Sequence, residues 1–387
     1  MPLGNLRRYL GFTSLLGLIV LAGCSSNEPF DEPAPLPDVV ETVKLDTVWY
    51  MSVGDGHDGN FLHLQPTLVG DTLYAVAADG MMVSVSPENG KVYWQHELDR
   101  QIMAGVGADR DQLYLVSRKA ELLSYGREEG EARWQAELPN EVLAPPQSNG
   151  SIVVVQTIDG KVLAFDTASG EKRWQYDGVV PVLTIRGTAT PLVGSELTLV
   201  AFANGQLFGL SSDNGQPLWQ YAVGQPEGRT ELERLVDVSA QPLVIDNAAL
   251  VVGYQGSLAA VDIRNGQEIW RRKMSSLRTP TIAYGNVYVT ESNGSITAVD
   301  GNSRQTVWSQ DGLAWRQPSA PTVAGEHLLV GDFKGYLHTL ALEDGAFTGQ
   351  RSLDSEGIRV PMLRWQDLVL VYTNGGRLAA VKVVPKD

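Results

Sequence analysis

Residues 256–270 read G-S-L-A-A-V-D-I-R-N-G-Q-E-I-W, and this phrase recurs along the whole chain. Its opening Gly and closing Trp stand 14 residues apart, as do Gly80 and Trp94, Gly160 and Trp174, Gly205 and Trp219, and Gly294 and Trp308. Ala120 with Trp134 keeps the spacing with the Gly replaced, and Gly335 points to Gly349, where the Trp is lost. Fourteen residues upstream of the markers lie Pro66, Pro146, Pro191, Pro242, Pro280 and Pro321. Val106 takes that place in the second copy, and Pro361 falls one residue early before Gly376. The chain therefore contains eight copies of one frame.

Each frame has the grammar of an antiparallel sheet. After the Pro comes a run of β-branched and aliphatic residues, such as Leu73 to Val76 or Leu250 to Val252, with strand composition. The marker Gly sits in a hairpin pair such as Asp79-Gly80 or Asn204-Gly205, because Gly tolerates positive φ. A third strand follows. Then a turn of the form Asp-x-x-x-Gly, as from Asp166 to Gly170, leads into the strand that carries the Trp. The Pro is expected in the first strand, facing a central channel as a sheet edge where a missing N–H is tolerated. A four-stranded unit repeated every 40 or so residues is the signature of a β-propeller.

The expected fold is thus all-β: an eight-bladed propeller of four-stranded antiparallel blades. The eighth frame ends before its Trp strand, while Trp49, in the run from Val43 onward, lacks a frame of its own. The N-terminal strand is expected to complete the last blade and close the ring, removing an exposed edge. Three domains are expected: a signal peptide over residues 1–23, a lipid-bearing flexible tether over 24–42, and the propeller over 43–387. Arg7 and Arg8 precede an apolar run to Leu21 that is short for a membrane span. The sequence Leu21-Ala22-Gly23-Cys24 then resembles the lipobox of bacterial lipoproteins, which implies acylation of Cys24. Ser25 after the Cys resembles the outer-membrane sorting pattern. Residues 25–38 are rich in Pro, Glu and Ser, a composition for an extended tether.

Several functions are excluded or left without signal. Without residues 1–23 the chain has 28 basic and 45 acidic residues, a net charge of −17, which opposes nucleic acid as a partner. One Cys allows no disulfide within the chain. Among the five His residues no HExxH spacing occurs, since Arg100 stands where a second His would follow His96-Glu97. They read as surface or loop residues. No G-x-S-x-G elbow is present. No catalytic residue, cofactor or metal site is expected. The repeated Trp residues are expected to pack blade against blade rather than to stack on a ligand.

The connections from each Trp to the next Pro position carry the variation, and all are expected on one face of the disc, where loops carry function. Residues 180–187 place Leu183 and Ile185 beside Arg186, a composition that suits an interface hot spot and equally suits two aliphatics buried in the fourth blade. Residues 224–239 form the longest loop, of mixed charge, next around the ring. It reads either as a solvated turn or as a shared surface with the first loop.

The A-x-D-x-x-x-G-x-x-x-W phrase, seen from Ala164 to Trp174 and from Ala260 to Trp270, resembles the repeat of quinoprotein dehydrogenases. Those enzymes have large inserts, calcium ligands and often a vicinal Cys pair that this chain has no room for. The whole chain instead resembles the BamB family, lipoproteins of the outer-membrane β-barrel assembly (BAM) machinery: lipobox, Pro-rich tether, eight such blades. The resemblance implies a non-enzymatic, monomeric scaffold on the periplasmic face of the outer membrane, held there by its lipid anchor. It implies docking on the periplasmic POTRA domains of BamA, indirect contact with other BAM subunits, and assistance to unfolded outer-membrane clients. By the resemblance, Leu183, Ile185, Arg186 and Asp237 contact the partner. Ser239 stands where the family tends to have a second Asp. Two other classes remain: a quinoprotein-like periplasmic dehydrogenase, marked by channel acids and calcium, and a sugar- or peptidoglycan-binding lipoprotein, marked by exposed loop aromatics.

Overall fold

The computed structural model describes residues 31–185 and 187–386, and among these there is no helix. Eight sheets follow one another around a ring, each built on four antiparallel strands, which in the first seven blades pair in the order of the chain. In blade 5, for example, Leu243–Ile245, Ala248–Val252, Ser257–Asp262 and Glu268–Lys273 pair in sequence. The second and third strands are buried along nearly their whole length, because each is flanked in its own sheet and covered on both faces by neighbouring blades. The fourth strands are mostly exposed and polar, as befits the rim. The Pro residues lie just before the first strand rather than in it: Pro242 precedes Leu243–Ile245 and Pro321 precedes Thr322–Ala324. Their missing N–H therefore falls outside the ladder.

Ring closure follows the sequence expectation. The N-terminal strand Val43–Ser52 pairs along its length with the last strand, Arg377–Pro385, and Trp49 faces Ala380. The eighth blade is thus built from both ends of the chain. The approach to it is also held. Thr42 N–H donates to the Thr348 carbonyl at 2.8 Å, and Gln350 donates to the Pro37 carbonyl at 3.2 Å, so the segment before the strand lies along blade 7.

The Trp residues join the blades in one repeated contact. In each blade that carries one, the Trp faces a small residue across the sheet: Ser84, Ser124, Ala164, Gly209, Ala260 or Ala298. A β-bulge beside it aims the indole sideways at the next blade. There the ring covers the glycine of the outer turn. A Cβ on Gly170 would stand 2.6 Å from the Trp134 ring, and the same holds for Gly215 under Trp174 and Gly345 under Trp308. The indole N–H then donates to a carbonyl of that turn, as from Trp134 to Thr167 at 2.7 Å and from Trp308 to Leu342 at 2.9 Å. Two copies depart from the pattern. Arg304 replaces the turn glycine and stacks its guanidinium 4.6 Å from the Trp270 ring. At Gly349 the backbone of Val43 occupies the space, and the residue opposite has grown to Thr339. The missing Trp thus makes room for the closing strand.

One buried ionic cluster fixes blade 7. Asp332 Oδ2 accepts from Arg316 Nε at 2.9 Å and Nη2 at 2.5 Å, and lies 3.3 Å from His338 Nε2. Arg316 also donates to the Ala34 carbonyl at 2.9 Å. Burial pushes the Asp332 carboxyl up, but the bonds from His338 and Arg316 outweigh it and hold it below the usual range.

Two expected outcomes follow. Gly150 and Gly170 both have positive φ, at 88° and 73°, but a Cβ on Gly150 would meet nothing within 4 Å. Gly150→Ala should therefore lose only about 1–2 kcal/mol, the left-handed backbone cost. Gly170→Ala should lose a further ~1–3 kcal/mol for displacing the indole, read from urea midpoints. Equal losses would remove the indole contact as the cause. Asp332→Ala leaves buried Arg316 without its counter-ion and should cost about 3–5 kcal/mol near neutral pH. Because the native carboxyl is held low, the wild-type advantage is present at neutral pH and should shrink as acid titration passes through its native pKa.

Candidate functional site

The outer-to-inner connections and the marker-Gly turns emerge together on one face, as the four-strand meander requires. A cavity of about 360 Å³ opens there. It is lined by the lead-in to the first strand of seven blades, among them Gln65, Thr188, Gln241, Thr279 and Arg359, which places it on the axis of the ring. Blade 2 is screened by a fifth strand. His63–Leu64 pairs in parallel with Ala104–Gly105, which uses part of the long connection after Trp49 and sets His63 at the cavity wall.

The two singled-out loops meet at this mouth. The first strand of blade 4 begins only at Leu192, so Leu183 and Ile185 lie outside it. Leu183 is 39% exposed, Val182 is fully exposed, and Ile185 lines the cavity. Arg186, like Cys24, lies outside the described residues. In the second loop the exposed tip is held by its own bonds. Glu233 accepts from the N–H of Arg229 at 2.6 Å and of Thr230 at 3.1 Å, and Thr230 Oγ1 accepts from the Glu233 N–H at 3.1 Å. This is the reciprocal arrangement of a capping box. Leu232 at that tip is 70% exposed.

Asp237 faces inward, at 1% exposure. Its backbone bridges to Tyr254, whose N–H donates to the Asp237 carbonyl at 2.7 Å. Its carboxylate accepts from Ser239 Oγ at 2.8 Å and from the Ile185 N–H. Asp237 is therefore the tie between the two loops, and Ser239 is a donor to it. Gly187 completes the approach, since a Cβ there would stand 2.9 Å from Ser239 Oγ. Burial pushes the Asp237 carboxyl up to about 6, although the bonds from Ser239, Ile185 and Val238 pull the other way.

His96 is exposed and His57 lies in a turn, as expected of surface or loop residues, but His338 departs from that expectation on the buried strand Tyr336–Ala341. His57 and His338 are both fully buried, the first edge-on to Tyr372 and the second in the Asp332 cluster. The repeat held the signal for His338. It stands three residues after its marker Gly, where Val83, Leu163 and Ala259 are core residues of their blades. Among the described residues no group of three or more His, Cys, Asp or Glu is placed to hold a metal ion.

The profile of the family described as outer membrane protein assembly factor BamB matches residues 78–310 and 275–384. The chain belongs to the BamB family. It is 55% identical to the BamB of Marinobacter adhaerens over 97% of both chains. It is 45% identical to that of Pseudomonas aeruginosa, covering 96% of this chain and 98% of the relative. The crystal structure of BamB from Moraxella catarrhalis superposes with a TM-score of 0.80 at 24% identity, over 88% of this chain and 100% of that one. A europium-containing methanol dehydrogenase shares the fold at a TM-score of 0.71 and 14% identity, over 85% of each chain. At that identity the likeness concerns the propeller alone.

The buried tie has a pH signature. A carboxyl raised in the native state binds its proton more tightly there than in the unfolded chain. Its contribution is full below about pH 4 and is lost as the pH rises through about 6. Asp237→Asn removes the titration. The stability of the wild type relative to this variant should fall between about pH 4 and 6. A flat difference across that window would mean the carboxylate is solvated.

Proposed function

We propose that this chain is a non-enzymatic scaffold lipoprotein of the machinery that folds and inserts β-barrel proteins into the outer membrane. Acyl chains on Cys24 hold it at the periplasmic face, and the loop-bearing face of the disc docks on the POTRA domains of BamA. The observation that supports this most is the loop pair itself. In a chain of this family, exposed Val182, Leu183 and Leu232 stand on two loops that Asp237 and Ser239 hold together. Apolar side chains preset on a rigid frame need little ordering on association, which is where interface affinity is otherwise lost. Leu183, Ile185 and Arg186 make the contact, and Asp237 positions it. The other BAM subunits are reached through BamA, and unfolded clients are met beside it.

Co-purification from native envelopes tests the reading. Tagged wild type should bring down BamA. Leu183→Glu and Arg186→Glu should each weaken capture by at least about 2 kcal/mol, roughly thirtyfold, while circular dichroism stays unchanged. Leu218→Glu, at an exposed rim position, should capture normally. Absence of BamA from the wild-type eluate overturns the proposed role. Unchanged capture by both loop variants overturns the proposed face.

A further inference from the structure

Among the described residues, the axial cavity is lined by two guanidinium groups that no carboxylate pairs with. Arg278 and Arg359 both line it, from the lead-ins to blades 6 and 8. No carboxylate among the described residues makes an ion pair with either, in a chain whose net charge is −15. The Arg278 backbone N–H donates to Ser276 Oγ at 2.9 Å, but its guanidinium has no hydrogen-bond acceptor among the described residues. Arg359 lies 3.9 Å from the centre of the Phe61 ring and donates to the Asn60 carbonyl at a long 3.3 Å, which leaves most of its donors unused. Among the described residues Glu291 is the one acid in the wall, and its Oε1 already accepts from Thr297 at 2.6 Å.

We propose that this cavity is a binding site for a small organic anion bearing carboxylate or phosphate groups, held between Arg278 and Arg359. The volume falls within the range of small-molecule sites, roughly 300–1,000 Å³. The remaining wall supplies neutral donors, Gln65, Thr188, Thr190, Gln241 and Gln317, suited to the outer oxygens of such a ligand. Guanidinium groups match carboxylate and phosphate oxygens in pairs, and a partly enclosed site screens the attraction less than bulk water does. The empty site carries the cost of its charges. Burial, and then repulsion from Arg359, lowers Arg278 to about 10, and burial with both arginines lowers His63 to about 4. An anion between them relieves both effects. The inference does not depend on docking to BamA.

Titration calorimetry of the purified full-length chain in nonionic detergent tests it, with citrate and inorganic phosphate as separate probes and chloride at matched ionic strength as the control. Citrate, phosphate or both should bind one to a chain and raise the melting temperature above the chloride control. The probe that binds identifies carboxylate or phosphate chemistry. Arg278→Gln and Arg359→Gln should each weaken binding at least tenfold, and Arg278→Lys should weaken it less. Without ligand, both Gln variants should melt no lower than wild type, because removing one charge relieves the other; a purely structural pair would melt lower. The His63 titration, followed by NMR, should move upward with the bound probe. No binding of either probe beyond chloride overturns the proposal, as does equal binding by wild type and both Gln variants.

Discussion

Everything in this molecule hangs on an indole lying flat on a glycine. The outer strand of one blade presents its Trp across a small residue of its own sheet, and the ring covers the positive-φ glycine of the next blade's outer turn. One N–H to a turn carbonyl fixes the angle. Because the donor, the ring and the covered turn belong to the same frame, each copy sets the position of its neighbour. A ring of nearest-neighbour contacts then requires only that the last copy meet the first. The strand Val43–Ser52 does this: Trp49 lies on Gly90 and donates to the Pro87 carbonyl of blade 1. The single lost Trp sits where this strand arrives, and Val43 takes its space at Gly349.

A ring held at its rim leaves its axis free. The first strands are short and the blades do not fill the centre, so the lead-in residues of seven blades surround a cavity. The same topology gathers the variable connections on the face where that cavity opens. Asp237 turns this arrangement into a surface. By accepting from Ser239 and the Ile185 N–H, it makes two separate insertions into one unit, at the cost of a buried carboxylate that titrates high. Exposed aliphatics on the two loops stand beside the mouth of a channel that contains cations, so apolar and electrostatic features share one face.

The number of blades, the closure by the N-terminal strand and the Trp packing were all legible in the sequence. They are properties of a repeat, and repetition states the same contact many times over. The candidate loops were also legible, as departures from constant spacing. What spacing does not carry is the direction in which a side chain points within a departure. Asp237 is expected by the resemblance to contact a partner, yet it turns inward and accepts from the Ile185 N–H of the loop before it. His338 reads as a lone histidine until the frame aligns it with Val83 and Leu163 in the core.

The sequence alone determined the architecture, since hydrophobic alternation, turn glycines and a fixed Trp interval are local constraints that eight copies make redundant. Only the tertiary structure decided what occupies the axis. Arg278 and Arg359 hold the same place in their frames, two residues before Pro280 and Pro361, but belong to different blades, and His63 reaches the wall through a parallel strand that no hairpin signal announces. Closing the ring brings these residues to one cavity. Their meeting is a consequence of curvature summed over all the blades, which no single stretch of the chain encodes.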